Sequence, residues 1–207
     1  NEPVGKALRL PKSRSGSRSG GPAISQDDLL AKLPKSKPRF IEPMKPKLVE
    51  HAPTTDDWVY ELKFDGIRAL AIKNGRTIQL ISRNEKKLND RFPEIVQAAA
   101  DFDADECVVD GEVVAMDEDG RSSFQLLQRT ELDGKDAPLA FYVFDLLQLN
   151  GRSLINLPLS LRKDALMRII PASGDVIRFS GALGTDATTL LPEIQRRSLE
   201  GLIGKQR

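Results

Sequence analysis

The sequence is poor in the residues that usually declare a chemistry. Its 207 residues include one cysteine, Cys107, and one histidine, His51. A single cysteine excludes a disulfide framework within the chain, and the two residues together exclude a zinc site built from Cys and His. One histidine in a Pro-rich stretch also argues against His-centred acid–base catalysis. No apolar run approaches the roughly 20 residues that a membrane helix needs, so no membrane partner is expected. No signal-like stretch follows Asn1, and the chain is expected to be a piece of something longer, in a reducing, cytoplasmic setting. What the sequence does have is 40% hydrophobic residues, enough for the core of one sizeable domain or two small ones.

Charge is unevenly distributed. Residues 1–50 carry eleven Lys/Arg against five Asp/Glu, whereas residues 51–207 carry twenty against twenty-five. The globular part is therefore not a uniformly basic nucleic-acid binder, and any DNA contact in it must come from local patches. Residues 11–21, PKSRSGSRSGG, have linker composition, so residues 1–25 are expected to form a flexible basic linker and residues 26–207 the domain. Residues 26–48 are dense in Lys and Pro, with a helical hint over Asp27–Leu33, and order is expected to begin near Trp58.

From there the pattern becomes regular. Trp58–Lys63 alternates as a strand should. Ile67–Lys73 and Thr77–Ser82 flank Asn74-Gly75, a strong hairpin signal. Asp90–Phe102 reads as a helix with Pro93 in its first turn. Glu106–Met116 is a β-forming run broken at Asp110-Gly111, followed by a turn at Asp117–Gly120 and a short helix at Ser123–Arg129. Leu139–Leu149 is a strand ended by Asn150-Gly151. Ser160–Ile170 is a helix capped by Ser160, Val176–Ser180 a strand, Ala187–Arg197 a helix and Leu199–Lys205 a last strand. Hairpins with interspersed helices point to an α/β domain of the α+β type, with mixed, largely antiparallel sheets flanked by helices.

The chemistry concentrates in a few short segments. In Glu61-Leu62-Lys63-Phe64-Asp65-Gly66-Ile67-Arg68, an extended backbone puts Glu61 and Lys63 on one face and aims Leu62 and Phe64 into the core. Asp65-Gly66 then turns into the next strand. A lysine thus stands at a strand end, flanked by carboxylates, with an arginine just past the turn. Four segments follow in order: Ser82-Arg83-Asn84; Asp110-Gly111-Glu112, a second carboxylate at an expected strand turn; Phe141-Tyr142-Val143-Phe144-Asp145; and Glu200-Gly201-Leu202-Ile203-Gly204-Lys205.

Together these five segments resemble the covalent nucleotidyltransferase superfamily of DNA ligases, RNA ligases and capping enzymes, over residues 40–207. Lys63 to Arg68 resembles its motif I, Ser82-Arg83-Asn84 the motif after it, Phe144-Asp145 motif III and Glu200 to Lys205 motif IV. Asp110-Gly111-Glu112 is similar to the acidic segment before motif III. The wording ELKFDGIRA, SRN, VVDGEVVA, FDLL and LEGLIGK looks most like the ligase domain of the bacterial multifunctional ligase D of end joining. The resemblance implies a covalent nucleotidyltransferase (ATP-grasp-like ligase) fold and an ATP-dependent DNA ligase. It leads one to expect motif V and a C-terminal OB-fold domain as well, neither of which is in these 207 residues; without them the fragment is expected not to seal a nick.

The implied reaction has three steps: lysine attacks the α-phosphate of ATP, AMP passes to a DNA 5′-phosphate, and a 3′-hydroxyl displaces AMP. An ordinary lysine is neutral in only about one molecule in 2,500 at pH 7. Flanking carboxylates favour the ammonium further, so the residues call for a divalent cation, Mg²⁺ or Mn²⁺. By resemblance Lys63 is the nucleophile that carries AMP. Arg68 and Arg83 face phosphate or ribose oxygens, and Phe144 stacks on adenine. Glu112 and Glu200 lie near the metal or ribose, Lys205 near the α-phosphate, and Glu61 reads the adenine amino group. The implied partners are nicked or broken duplex DNA, other domains of the same polypeptide (an OB-fold, a phosphoesterase and a polymerase) and Ku, in the bacterial nucleoid. The alternatives are a capping-type guanylyltransferase or RNA ligase, and a non-catalytic nucleotide- or DNA-binding module.

Overall fold

A computed structural model describes residues 30–133, 137–172 and 174–207. The expected linker at 1–25 and most of the helical hint at 27–33 lie outside the described residues; Leu30 and Ala31 are helical. Leu33–Arg207 form one structural unit, and Asn1–Lys32 are assigned to another.

The unit is organised around two sheets. The strands are β1 (Trp58–Lys63), β2 (Ile67–Asn74), β3 (Thr77–Ser82), β4 (Glu106–Ala115), β5 (Leu139–Leu149), β6 (Arg152–Ser153), β7 (Ile177–Phe179) and β8 (Gly201–Gln206). Strands β3-β2-β4-β5-β6 run in that order as the large sheet, with β7 also on β5, and β1-β8 form a separate antiparallel pair. Every pairing is antiparallel except β5 with β7, as the sequence pattern anticipates. Four helices join the strands: α1 (Pro93–Ala99), α2 (Phe124–Asp133), α3 (Leu159–Ile169) and α4 (Ala187–Arg196). None of the described helices is long and apolar enough to cross a membrane. The central strands β2, β4 and β5 supply much of the core, including Leu70, Val108, Val109, Phe141 and Leu146, all at 0% exposure.

The structure corrects the sequence-based expectations at several points. Strand β4 is not broken at Asp110-Gly111: it runs unshifted against β2 from Glu106 to Val113. Gly111 is there for contact, since a Cβ at that position would lie 2.6 Å from both the Phe141 ring and the Tyr142 carbonyl oxygen. Two register shifts lie across the β4–β5 seam instead, one between Val108 and Val109 and one between Asp110 and Gly111. Register steps from Asp110↔Asp145 to Gly111↔Val143, which makes Phe144 the extra residue of a bulge. Helix α1 is shorter than the pattern suggests, its flanks closing as turns. Ser160 does not cap α3; the N-cap is Pro158, without a side-chain cap, whereas Asp186 does cap α4 by accepting from Thr188 N–H at 2.9 Å.

Order also begins well before Trp58. Residues 33–36 lie along β6. Ser36 N–H donates to the Gly151 carbonyl at 2.9 Å and Ser153 N–H to Pro34 at 2.8 Å. Phe40 and Ile41 then pack on Leu70, Ile72, Val108 and Leu147. Two apolar residues among lysines and prolines give no periodic signal, because the segment docks through its backbone and one short apolar step.

Candidate active site

Strand β1 delivers Glu61 and Lys63 to the same face, as alternation requires. Lys63 ends the strand opposite Gly201, the first residue of β8. Its Nζ contacts Oε1 of Glu200, and both side chains keep partial access to solvent. Glu61 is quite different: it is 2% exposed, and its two oxygens meet two ammonium groups, Lys163 at 2.7 Å and Lys205 at 2.9 Å. It is Glu61 and Tyr60, more than Leu62, that are buried along this strand.

The turn after β1 is fixed by contacts rather than by sequence preference alone. A Cβ on Gly66 would lie 2.2 Å from the Val113 carbonyl oxygen, so only glycine lets β1 turn into β2 here. Asp65 accepts from the Phe124 N–H at 3.0 Å, the first residue of α2, so this acid supplies a helix cap. Phe64 stacks on Tyr142 with ring centroids 4.2 Å apart.

The large sheet brings the remaining groups. Arg68 on β2 lies opposite Glu112 on β4, which lies opposite Tyr142 on β5. Arg68 grips the Asp110 carboxylate through Nε (3.0 Å) and Nη2 (2.7 Å), and Nη1 donates to the Met44 carbonyl at 2.5 Å. Its guanidinium sits 5.5 Å from the centre of the Phe144 ring, and the Lys205 ammonium 4.3 Å from it, so the half-buried ring is flanked by cations. Burial raises the Asp110 carboxyl above its ordinary value, with Arg68 pulling it back. Burial likewise pushes Glu112 up to about 8, against the downward pull of Arg68, Lys63 and Arg83 and with the help of Asp110. Arg83 is exposed at the end of β3; its N–H donates to the Arg68 carbonyl at 3.3 Å.

The eight expected site residues, Glu61, Lys63, Arg68, Arg83, Glu112, Phe144, Glu200 and Lys205, are thus joined by contacts or charge interactions. The arrangement pairs a nucleophile-capable amine and carboxylates with an aromatic ring ringed by cations, which suits an anion attached to a flat base. Among the described residues no three His, Cys, Asp or Glu side chains gather as a ready-made metal site.

A family model described as ATP dependent DNA ligase domain matches residues 38–207. The chain belongs to the ATP-dependent DNA ligase domain family. This ligase domain is 34% identical over 170 residues to the multifunctional non-homologous end joining protein LigD of Pseudomonas aeruginosa, covering 82% of the chain and 20% of that protein. It is 35% identical over 190 residues to DNA ligase C1 of Mycolicibacterium smegmatis, covering 84% and 53%. Its fold matches the crystal structure of the ligase domain of M. tuberculosis LigD (TM-score 0.61, 29% identity, 72% of this chain and 48% of that one). It also matches a mycobacterial DNA ligase D complexed with ATP and MES (TM-score 0.64, 27% identity, 78% and 54%). The chain therefore spans only a fifth to about half the length of these proteins.

Sequence reasoning missed several members of the ligase domain's site. Lys163 on α3 is the main one; it is buried, and burial together with Lys205 pushes it down to about 8. Arg162, its neighbour, clamps Asp145 through Nε at 2.7 Å and Nη2 at 2.9 Å. The one available signal was two adjacent basic residues, Arg162 and Lys163, on a helix that also carries Leu159, Leu161 and Leu166. Asp110 and Asp65 lie in segments that the resemblance singles out, but neither the Arg68 clamp on Asp110 nor the contact of Asp65 with α2 was anticipated.

Proposed function

We propose that Lys63 of this domain takes AMP from ATP as a covalent lysyl-AMP, and that AMP then passes to a DNA 5′-phosphate for strand joining in repair or end joining. The observation that carries this reading is the placement of the Lys63 amine at the edge of a cation-rich site built round the Phe144 ring. In this reading the ring takes the adenine, Arg68, Arg83 and Lys205 neutralise phosphate oxygens, and Nζ of Lys63 attacks the α-phosphorus. A P–N bond forms, the bond to the β-phosphate oxygen breaks, and pyrophosphate leaves with the electron pair. Glu200 touches Nζ and is the group at hand for the proton that the amine must lose. Electrostatic positioning of this kind supplies most of the catalysis in phosphoryl-type transfers.

The residues present fit a divalent cation in part. Glu112 and Glu200 are hard oxygen donors, and Mg²⁺ commonly fills the rest of its shell with water and substrate phosphate. Bound there, Mg²⁺ or Mn²⁺ would add positive charge that favours the neutral amine and offsets the phosphates. On the same resemblance the partners are nicked or broken duplex DNA, further domains of the same polypeptide and Ku, in the bacterial nucleoid.

Incubation with α-labelled ATP or GTP, followed by mass spectrometry, tests the reading. We expect AMP on the peptide that contains Lys63. Labelling by GTP alone, or AMP on another lysine with Lys63 bare, overturns it.

A further inference from the structure

One buried lysine has no part in the reaction just described, yet it touches the elements on both sides of the pocket. Lys163 projects from α3, and its ammonium has three N–H groups. Two carbonyl acceptors and one carboxylate, from three other parts of the chain, surround it. The Phe144 carbonyl lies at 2.9 Å and the Ser180 carbonyl, just past β7, at 2.8 Å. The third group is Oε1 of Glu61 on β1, an ion-pair contact at 2.7 Å that lacks hydrogen-bond alignment. The Phe144 carbonyl is a particular acceptor. It belongs to the extra residue of the β4–β5 bulge, where no β4 residue stands opposite, and bulges aim side chains that a regular ladder would hold elsewhere. Glu61 lies two residues before Lys63, on the small β1–β8 sheet rather than on the sheet that carries Phe144.

We propose that Lys163 is a positioning residue of the nucleotide pocket: through one ammonium it sets the bulge that carries the Phe144 ring at a fixed separation from the strand that carries Lys63. The proposal rests on the reading of Phe144 as the base platform and Lys63 as the nucleophile. A side chain without N–H groups at this position leaves a buried carboxylate with one ion partner fewer and takes a donor from the bulge carbonyl, so the two sheets lose a tether they share. An arginine keeps the charge and the N–H donors, but in a planar fork without the same tetrahedral spread. The cost falls on nucleotide binding first, because the ring and strand β1 no longer hold their spacing before substrate arrives. The burial that pushes Lys163 down to about 8 adds a pH signature: above that value the ammonium gives up its proton and the tether to Glu61 loosens.

The test uses calorimetric binding of α,β-methylene-ATP, which cannot transfer AMP, alongside labelling of Lys63 at saturating ATP. The proteins are wild type, Lys163→Met, Lys163→Arg, Glu61→Gln and the Lys163→Met/Glu61→Gln double variant, with melting curves for each. We expect Lys163→Met to bind the analogue weaker by on the order of tenfold or more, the scale of losing a buried charge-assisted contact. Its labelling rate at saturation should fall by less, and Lys163→Arg should recover part of the binding. The double variant should lose less than the sum of the two single losses, because the two residues share the Lys163–Glu61 ion pair. Analogue binding within twofold of wild type in a folded Lys163→Met, or additive losses in the double variant, overturns the proposal. If Lys163→Met does not fold, the same cycle run with Lys163→Arg decides, additivity again counting against it. A wild type that binds the analogue but never labels Lys63 overturns the reaction while leaving the tether to be judged on binding. A wild type that binds no adenine nucleotide overturns both.

Discussion

At Glu112 burial competes with attraction, and burial wins. The carboxyl stands on β4 opposite Arg68 and Tyr142, and it is pushed up to about 8 although Arg68, Lys63 and Arg83 all favour its charged form. In the unfolded chain a glutamate ionises near pH 4.5, so between about 4.5 and 8 the folded protein holds a proton that the unfolded one releases. The stability this proton contributes is complete below the unfolded value and is lost as pH rises through about 8. Glu112→Gln cannot lose the corresponding hydrogens. We therefore expect the melting temperature of Glu112→Gln, relative to wild type, to climb by a few degrees between pH 5 and pH 8.5. A constant gap across that range would show that Glu112 does not carry the proton. Added Mg²⁺ is expected to stabilise wild type more than Glu112→Gln at pH 8, where an ionised carboxylate is available to a cation.

At the scale of elements, the contact from Asp65 to α2 shows how one residue can serve two readings. By resemblance it belongs to the nucleophile's motif; by geometry it closes the first exposed N–H of the helix at Phe124, 3.0 Å away. Loss of such a cap typically costs about 1 kcal/mol. Asp65→Ala is therefore expected to lower unfolding free energy by about that amount in urea titrations, and Asp65→Asn, which keeps an acceptor oxygen, to lower it by clearly less. Equal losses in the two variants would mean that the cap is not what Asp65 contributes. The strands Trp58–Lys63, Thr77–Ser82 and Leu139–Leu149 were legible to the residue, because alternation and the Asn-Gly pairs mark their ends. The continuity of β4 was not, because Asp-Gly is a turn signal locally and a packing solution only when Phe141 of a neighbouring strand is known. The docking of residues 33–43 was equally hidden, since its hydrogen bonds run through backbone groups that every sequence has.

At the scale of the molecule, the site was legible as a list but not as a structure. Order along the chain named Glu61, Lys63, Arg68, Arg83, Glu112, Phe144, Glu200 and Lys205, yet Lys163, which touches the elements carrying Glu61 and Phe144, lies in no motif and emerges only from the fold. Charge follows a similar logic. Residues 51–207 hold twenty-five acids against twenty bases, while residues 1–50 hold eleven bases against five acids, so long-range attraction to DNA cannot come from the bulk of the domain. Among the described residues, a cleft of about 460 Å³ is lined by Pro34, Lys35, Ser36, Arg39, Phe40, Ile41, Ser153 and Ile155. Lys35 and Arg39 are exposed there, and none of the eight site residues lines it. If those two cations meet backbone phosphates, each contact releases counterions, and the dependence of log affinity on log salt steepens by roughly one for each phosphate neutralised. The expected outcome for Lys35→Gln/Arg39→Gln is weaker duplex binding at low salt and a salt slope shallower by about two. AMP transfer to Lys63 in the absence of DNA should stay at the wild-type rate, because neither side chain reaches the pocket. Binding titrations of the two proteins across a salt series read both quantities. An unchanged slope would move the phosphate contacts to other basic residues, and slowed adenylylation would tie the cleft to the nucleotide pocket instead.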